Sequence, residues 1–158
     1  MKTEIILLRI TGEDRPGLTA SFMAIMAAYD VEVLDIGQAD IHSTLSLGIL
    51  IRTDEEDSGR VMKDVLFKAS ELNVHVSFHP IDNEEYDDWV NAQGKNRYIL
   101  TLMAPHLTAR QIEAVSRLVA EEGMNIDGIR RLTGRPPRIQ CVDKVRASVE
   151  FSLRGTPP

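Results

Sequence analysis

The stretch Glu4-Ile5-Ile6-Leu7-Leu8-Arg9-Ile10-Thr11-Gly12-Glu13-Asp14-Arg15-Pro16-Gly17-Leu18 decides the fold of this chain. Glu4 to Ile10 is short, dense in Ile and Leu and soon followed by glycine, which suits a buried strand. Leu18, Phe22, Ile25, Met26 and Tyr29 then recur at helical spacing and make one apolar stripe. Between strand and helix, Gly12 can take a positive φ and Pro16 fixes φ near the first helical turn. Gly17 lacks a Cβ, so a backbone or a ligand can come close. The N–H groups of a helix start attract a carboxylate, and Asp14 can accept hydrogen bonds from an ammonium group. The turn is therefore a place to hold a small zwitterion rather than a place to do chemistry. The plainer reading is a strand-to-helix turn with Asp14 as a local cap.

The chain has 158 residues, 43% of them hydrophobic and 27% charged, the proportions of a globular protein of one medium or two small domains. No apolar run is long enough to span a bilayer and no signal-peptide pattern follows Met1, so no membrane partner and a cytoplasmic location are expected. Cys141 is the only cysteine, which leaves no internal disulfide. The net charge of −6 is uneven: residues 1–80 carry seven bases and thirteen acids, residues 81–96 one base and five acids, and residues 97–158 ten bases and six acids. The acidic front half argues against nucleic acid as a partner.

A weak internal repeat organises the rest. A shift of 93 residues superimposes Ile6-Leu7 on Ile99-Leu100, Ala27 on Ala120 and Ile36 on Ile129. In the first copy, Val31 to Ile41 and Leu45 to Arg52 read as strands joined at His42-Ser43-Thr44. Ser58 to Leu72 reads as a helix with Val61, Val65, Leu66, Ala69 and Leu72 inward, and Val74 to Phe78 as a last strand. The order is β-α-β-β-α-β, a split βαβ unit with two helices on one face of an antiparallel sheet. In the second copy, Tyr98 to Met103 is a strand, and Thr108 caps a helix with Ile112, Val115, Leu118 and Val119 on one side. Gly123 ends that helix, and Met124 to Leu132 and Val145 to Leu153 supply two more strands. Thr156-Pro157-Pro158 reads as the start of a further helix, so the second unit is expected to be cut after its third strand and the chain to be part of a longer polypeptide.

The expected division is residues 1–80, an acidic linker at 81–96 and residues 97–158. Tyr86, Trp89 and Val90 are positioned to pin that linker to a neighbouring surface. Arg130, Arg131, Arg135 and Arg138 cluster in the second copy as a solvated hairpin end or a contact for an acidic partner. No phosphate loop, Cys-x-x-Cys pair, His-Glu-x-x-His helix, Gly-x-Ser-x-Gly elbow or Asp-x-Asp pair occurs. His75 and His79 share one strand face, but a zinc site needs a third ligand, so no metal is expected. No catalytic constellation can be assembled, and no enzyme activity is expected within the chain.

Gly12 to Leu18, followed by Val31-Glu32-Val33-Leu34-Asp35-Ile36, resembles the ACT domain, a family of regulatory βαββαβ modules that bind amino acids. The second copy resembles a diverged ACT unit, with Ala104-Pro105-His106-Leu107 in place of Thr11 to Asp14 and Arg110 in place of Gly17. The whole chain resembles the tandem ACT region of bacterial phosphoserine phosphatases, most strongly at residues 104–108, 123–127 and 130–137. The resemblance implies an α+β fold of two ferredoxin-like units. It also implies a C-terminal haloacid-dehalogenase-type catalytic domain that uses Mg²⁺, with no cofactor in this chain. L-Serine is the expected ligand and a homodimer through ACT units the expected assembly. Gly12, Asp14, Arg15, Pro16, Gly17 and Leu18 would form the ligand loop. Asn125, whose position corresponds to the serine-contacting asparagine of related domains, or Glu32 from a facing unit would complete the polar shell. The alternative is a stand-alone tandem ACT regulator of transcription, of the glycine-cleavage-repressor kind. The natural reading frame beyond residue 158 distinguishes the two.

Overall fold

The computed structural model describes residues 2–93, 96–134 and 146–155. The chain divides into two compact units, Met1–Trp89 and Val90–Pro158. The first runs β1 (Thr3–Glu13), α1 (Leu18–Ala28), β2 (Glu32–Ile41), β3 (Thr44–Asp54), α2 (Glu55–Glu71) and β4 (His75–Ile81). Its sheet has the order β2-β3-β1-β4 with every pair antiparallel. This is the split βαβ arrangement expected from the repeat.

Alternation fixes which face is buried. Ile6, Leu8 and Ile10 of β1 stand opposite Ile51, Ile49 and Leu47 of β3. All six are buried, with Leu18, Phe22 and Met26 of α1 and Val61, Val65 and Ala69 of α2 closing over them. Some inward assignments differ: Leu66 of α2 is 51% exposed, and Ile25, Tyr29 and Leu72 are only partly buried against the core. Leu66 sits at the rim of the stripe, where the helical period carries it past the sheet. The other face of the sheet is polar and exposed at one end, with Arg9, Thr11, Ser46, His75 and Ser77, and apolar at the other, where Ile5 and Leu50 are buried.

The second unit runs β5 (Arg97–Ala104), α4 (Ala109–Glu121), β6 (Asn125–Arg131) and β7 (Ala147–Arg154), in sheet order β5-β7-β6. Phe151, Val149, Leu153 and Val119 form its core. Thr108 and Gln111 make a reciprocal capping box at the start of α4, and Gly123, at φ 71°, ends it. Leu118, expected on the inner side of α4, is 60% exposed. Thr156 to Pro158, Cys141, Arg135 and Arg138 lie outside the described residues.

The repeat is exact in one place and broken in another. Both second strands carry a bulge at the same position, between Val33 and Asp35 in β2 and between Ile126 and Gly128 in β6, at the 93-residue shift. The first strands do not keep that shift. Ile6 opposes Ile51, whereas the residue that opposes the equivalent Leu153 is Tyr98, one position before Ile99. Ile99 consequently lies on the face away from the core and is 63% exposed. A one-residue offset in a strand exchanges its faces, and the turn after β5 absorbs the extra residue.

The acidic segment contains a helix, α3 (Asn83–Gln93), which crosses the division between the units at Trp89. Tyr86 and Trp89 lie one helical turn apart, with ring centroids separated by 5.9 Å. Of the three residues expected to anchor the segment, Tyr86 meets the Arg52 guanidinium at 5.7 Å in a cation–π contact, whereas Trp89 and Val90 are exposed.

Candidate ligand site

β1 runs on through Gly12 to Glu13, so Gly12 is a strand residue paired with Leu45 rather than a turn with positive φ. Its lack of a side chain serves space. A Cβ there would stand 2.6 Å from Val74 Cγ1 and 3.3 Å from the Val74 Cα. The conformational demand falls on Gly17, which is left-handed at φ 85°, has nothing within 4 Å of an added Cβ and is the N-cap of α1. The two glycines thus exchange the roles expected of them. Pro16 precedes the cap instead of opening the helix, because the chain needs Gly17 to reverse direction into α1.

No side chain caps α1. The Leu18 N–H donates to the Arg15 carbonyl at 3.3 Å and the Ser21 N–H to the Gly17 carbonyl at 3.0 Å, so Thr19 and Ala20 carry the N–H groups left at the helix start, beside the exposed Asp14–Gly17 turn. Asp14 is not a helix cap. Its backbone N–H donates to the Ser43 carbonyl at 2.8 Å, tying the turn to the β2–β3 hairpin. His42 and Ser43 of that hairpin are both left-handed, at φ 54° and 69°, the signature of a two-residue reversal. The reversal brings Asp40 of β2 to Asp14. Asp40 holds its proton above the usual aspartate range because it hydrogen-bonds the Asp14 carboxylate, with partial desolvation and the Asp14 charge adding to the effect. Beside this pair, the Thr19 hydroxyl in the first turn of α1 donates to Gln38 Oε1 of β2 at 2.7 Å. The Arg15 guanidinium points elsewhere and donates to the Leu72 carbonyl at the end of α2. The turn thus presents helix N–H donors on one side and two carboxyls on the other, a layout matched to a carboxylate and an ammonium in one ligand.

Glu32 and Asn125 are not brought to this turn within their own units. Glu32 starts β2, eight positions from Asp40, and pairs with Arg52 at 3.0 Å. Asn125 holds the equivalent place in the second unit, opposite Arg154 in register as Glu32 is opposite Arg52. Its amide donates to Asp127 at 3.1 Å, and Asp127 also binds Arg154 at 2.8 Å. Asp40 and Gln38 escaped the sequence reading because only the hairpin register reveals their proximity. In the second unit, Arg130 reaches Glu150 at 3.8 Å and Arg131 bonds the carbonyls of Thr133 and Gly134. His75 and His79 are exposed on the sheet face away from α1 and α2, His79 with Glu85 at 4.0 Å, and no cluster of three metal-ligating groups occurs among the described residues. No helix among those residues is long and apolar enough to cross a membrane.

An α+β unit of βαββαβ order with the antiparallel sheet order β2-β3-β1-β4 is of the ferredoxin-like class. The ACT domain profile matches residues 4–79. The first unit belongs to the ACT-domain family. Among curated proteins, phosphoserine phosphatase SerB2 of Mycobacterium tuberculosis is 29% identical over 133 residues, which are 83% of this chain and 31% of that protein. A phosphoserine phosphatase of Streptomyces coelicolor is 29% identical over 153 residues, 95% of this chain and 33% of its own. The chain thus spans about a third of the length of the curated relatives it matches. A crystal structure of an unknown protein from Galdieria sulphuraria shares the fold at TM-score 0.73 and 17% identity, covering 96% of this chain and 82% of that one. So does a protein described as a glycine cleavage system transcriptional repressor, at TM-score 0.68 and 13% identity, covering 98% and 82%.

Proposed function

We propose that this chain is the amino-acid-sensing regulatory region of a phosphoserine phosphatase, that it binds a small amino acid, L-serine first, and that it dimerises through its first unit. The observation that carries the reading is the turn at Asp14 to Leu18, where the uncapped start of α1 faces the Asp14–Asp40 carboxyl pair. The ligand carboxylate takes the helix N–H groups. The ligand ammonium sits against the Asp14 and Asp40 carboxyls and relieves their mutual repulsion. ACT-family membership of residues 4–79 and the phosphoserine phosphatase relatives support the ligand class.

β2 supplies the dimer surface in this proposal. It is an edge strand, exposed along nearly its whole length, with Val33 and Ile36 open on the helix side and Ile41 on the other. Antiparallel pairing of two such edges, centred on Ile36, sets Glu32 of one copy opposite Asp40 of the other. A ligand at that seam links occupancy to assembly, which is what regulation requires. The catalytic domain, its Mg²⁺ and phosphoserine hydrolysis belong to the remainder of such a protein. Sedimentation velocity with and without L-serine tests the coupling. A dimer fraction that rises with serine is expected, and a distribution indifferent to serine overturns the sensor reading.

A further inference from the structure

We propose that Arg15 is a positioning residue, a latch that couples the Asp14–Gly17 turn to the connection between α2 and β4. The inference rests on the ligand site proposed above and adds a route by which occupancy of that site reaches the rest of the unit. The end of α2 is closed by local bonds: Val74 N–H donates to the Ala69 carbonyl at 2.9 Å and Asn73 N–H to the Ser70 carbonyl at 3.2 Å, with Asn73 left-handed at φ 55°. The Leu72 carbonyl projects beyond that closure, at the negative end of the helix dipole. Lys68 is the basic residue of the last turn, but its ammonium is taken by Glu71 at 3.0 Å. The cation that meets Leu72 comes from 57 positions earlier in the chain and is Arg15.

A second contact joins the same two segments. Gly12 lies so close to Val74 that a Cβ would reach 2.6 Å from Val74 Cγ1. Arg15 and Gly12 therefore bracket the acidic turn, one on each side of Asp14, and both rest on the residues that follow α2. Asp14 is held from the opposite direction by its bond to Ser43. A turn gripped at three points keeps the Asp14 carboxylate where it meets Asp40, and any ligand that moves the turn must move residues 72–74 with it.

Native-state hydrogen exchange of the 158-residue chain tests the latch without ligand. In Arg15→Ala, the N–H groups of Asp14 and Val74 are expected to exchange about fivefold faster, the loss of one charge-assisted hydrogen bond, while amides of β3 are unchanged. Arg15→Lys, which keeps one donor, is expected to recover part of the protection. Lys68→Ala, at the same helix end, is expected to leave the Asp14 amide as it was. Faster exchange at Val74 alone would reduce Arg15 to a cap of α2 and overturn the latch, as would no change at either amide. With L-serine as the probe, Arg15→Ala is expected to weaken binding about fivefold. If the unmodified chain takes no serine, the ligand proposal falls, and the exchange comparison still decides the latch.

Discussion

Gly12→Ala isolates a contact that only the three-dimensional structure reveals. The new Cβ would meet Val74 Cγ1 at 2.6 Å, Val74 Cβ at 3.0 Å and Val74 Cα at 3.3 Å. Val74 is β-branched and stiff, and one of the three contacts is backbone, so rotation of a side chain does not relieve them. Either β1 or the α2–β4 connection must shift, and overpacking of this kind costs about 1–3 kcal/mol. For a unit of this size that corresponds to a fall in melting temperature of about 4–8 °C per kcal/mol. The assay is denaturant unfolding of the chain followed by far-ultraviolet circular dichroism, with the single Trp89 as a fluorescent probe at the edge of the first unit. Val74→Ala removes the closest methyl, so Gly12→Ala in that background is expected to cost about 1 kcal/mol less than alone, a coupling energy readable from the double-mutant cycle. Gly17→Ala is the contrast, with open space but φ 85°, and its expected cost of about 1 kcal/mol is independent of Val74. Additive behaviour of Gly12→Ala and Val74→Ala would refute the steric argument.

The remaining tests address core, charge and edge. Phe22→Ala, at a fully buried position, is expected to cost about 3–5 kcal/mol, and Leu66→Ala, at 51% exposure, under about 0.5 kcal/mol, both from denaturation midpoints. The folded pKa of Asp40 is raised by the neighbouring Asp14 carboxylate, so the folded state binds the extra proton and stability falls as pH climbs from the ordinary aspartate range through that raised pKa. Asp40→Asn is expected to be more stable than the parent chain above this window and to lose the pH dependence within it, as read from midpoints between acid and neutral pH. Ile36→Lys, a charge at the middle of the exposed β2 edge, is expected to shift the sedimentation profile toward monomer.

Much of the fold is legible in the chain because burial here follows period. Ile6, Leu8 and Ile10 alternate as a strand must, and Val61, Val65 and Ala69 keep the helical interval. Identity alone misleads where parity matters. Matching Ile6 with Ile99 ignores the register that places Tyr98 toward the core. The helix at 83–93 is concealed by its acidic residues, although Tyr86, Trp89 and Val90 already stand at helical intervals. At the site, the turn from Asp14 to Leu18 is readable as a local motif. The reasons for its glycines are not, since the neighbour of Gly12 is Val74, far along the chain. Asp40 and Gln38 are likewise invisible until β2 folds back on β3 and its hairpin reversal sets the register.

Calorimetric titration of L-serine into this chain, repeated on Asp14→Ala, bears most directly on the proposal that the first strand-to-helix turn holds an amino acid. The account expects a saturable heat for the parent chain and none for the variant, with the variant still folded by circular dichroism. No heat at millimolar serine from the parent chain, or an undiminished heat from Asp14→Ala, would contradict it.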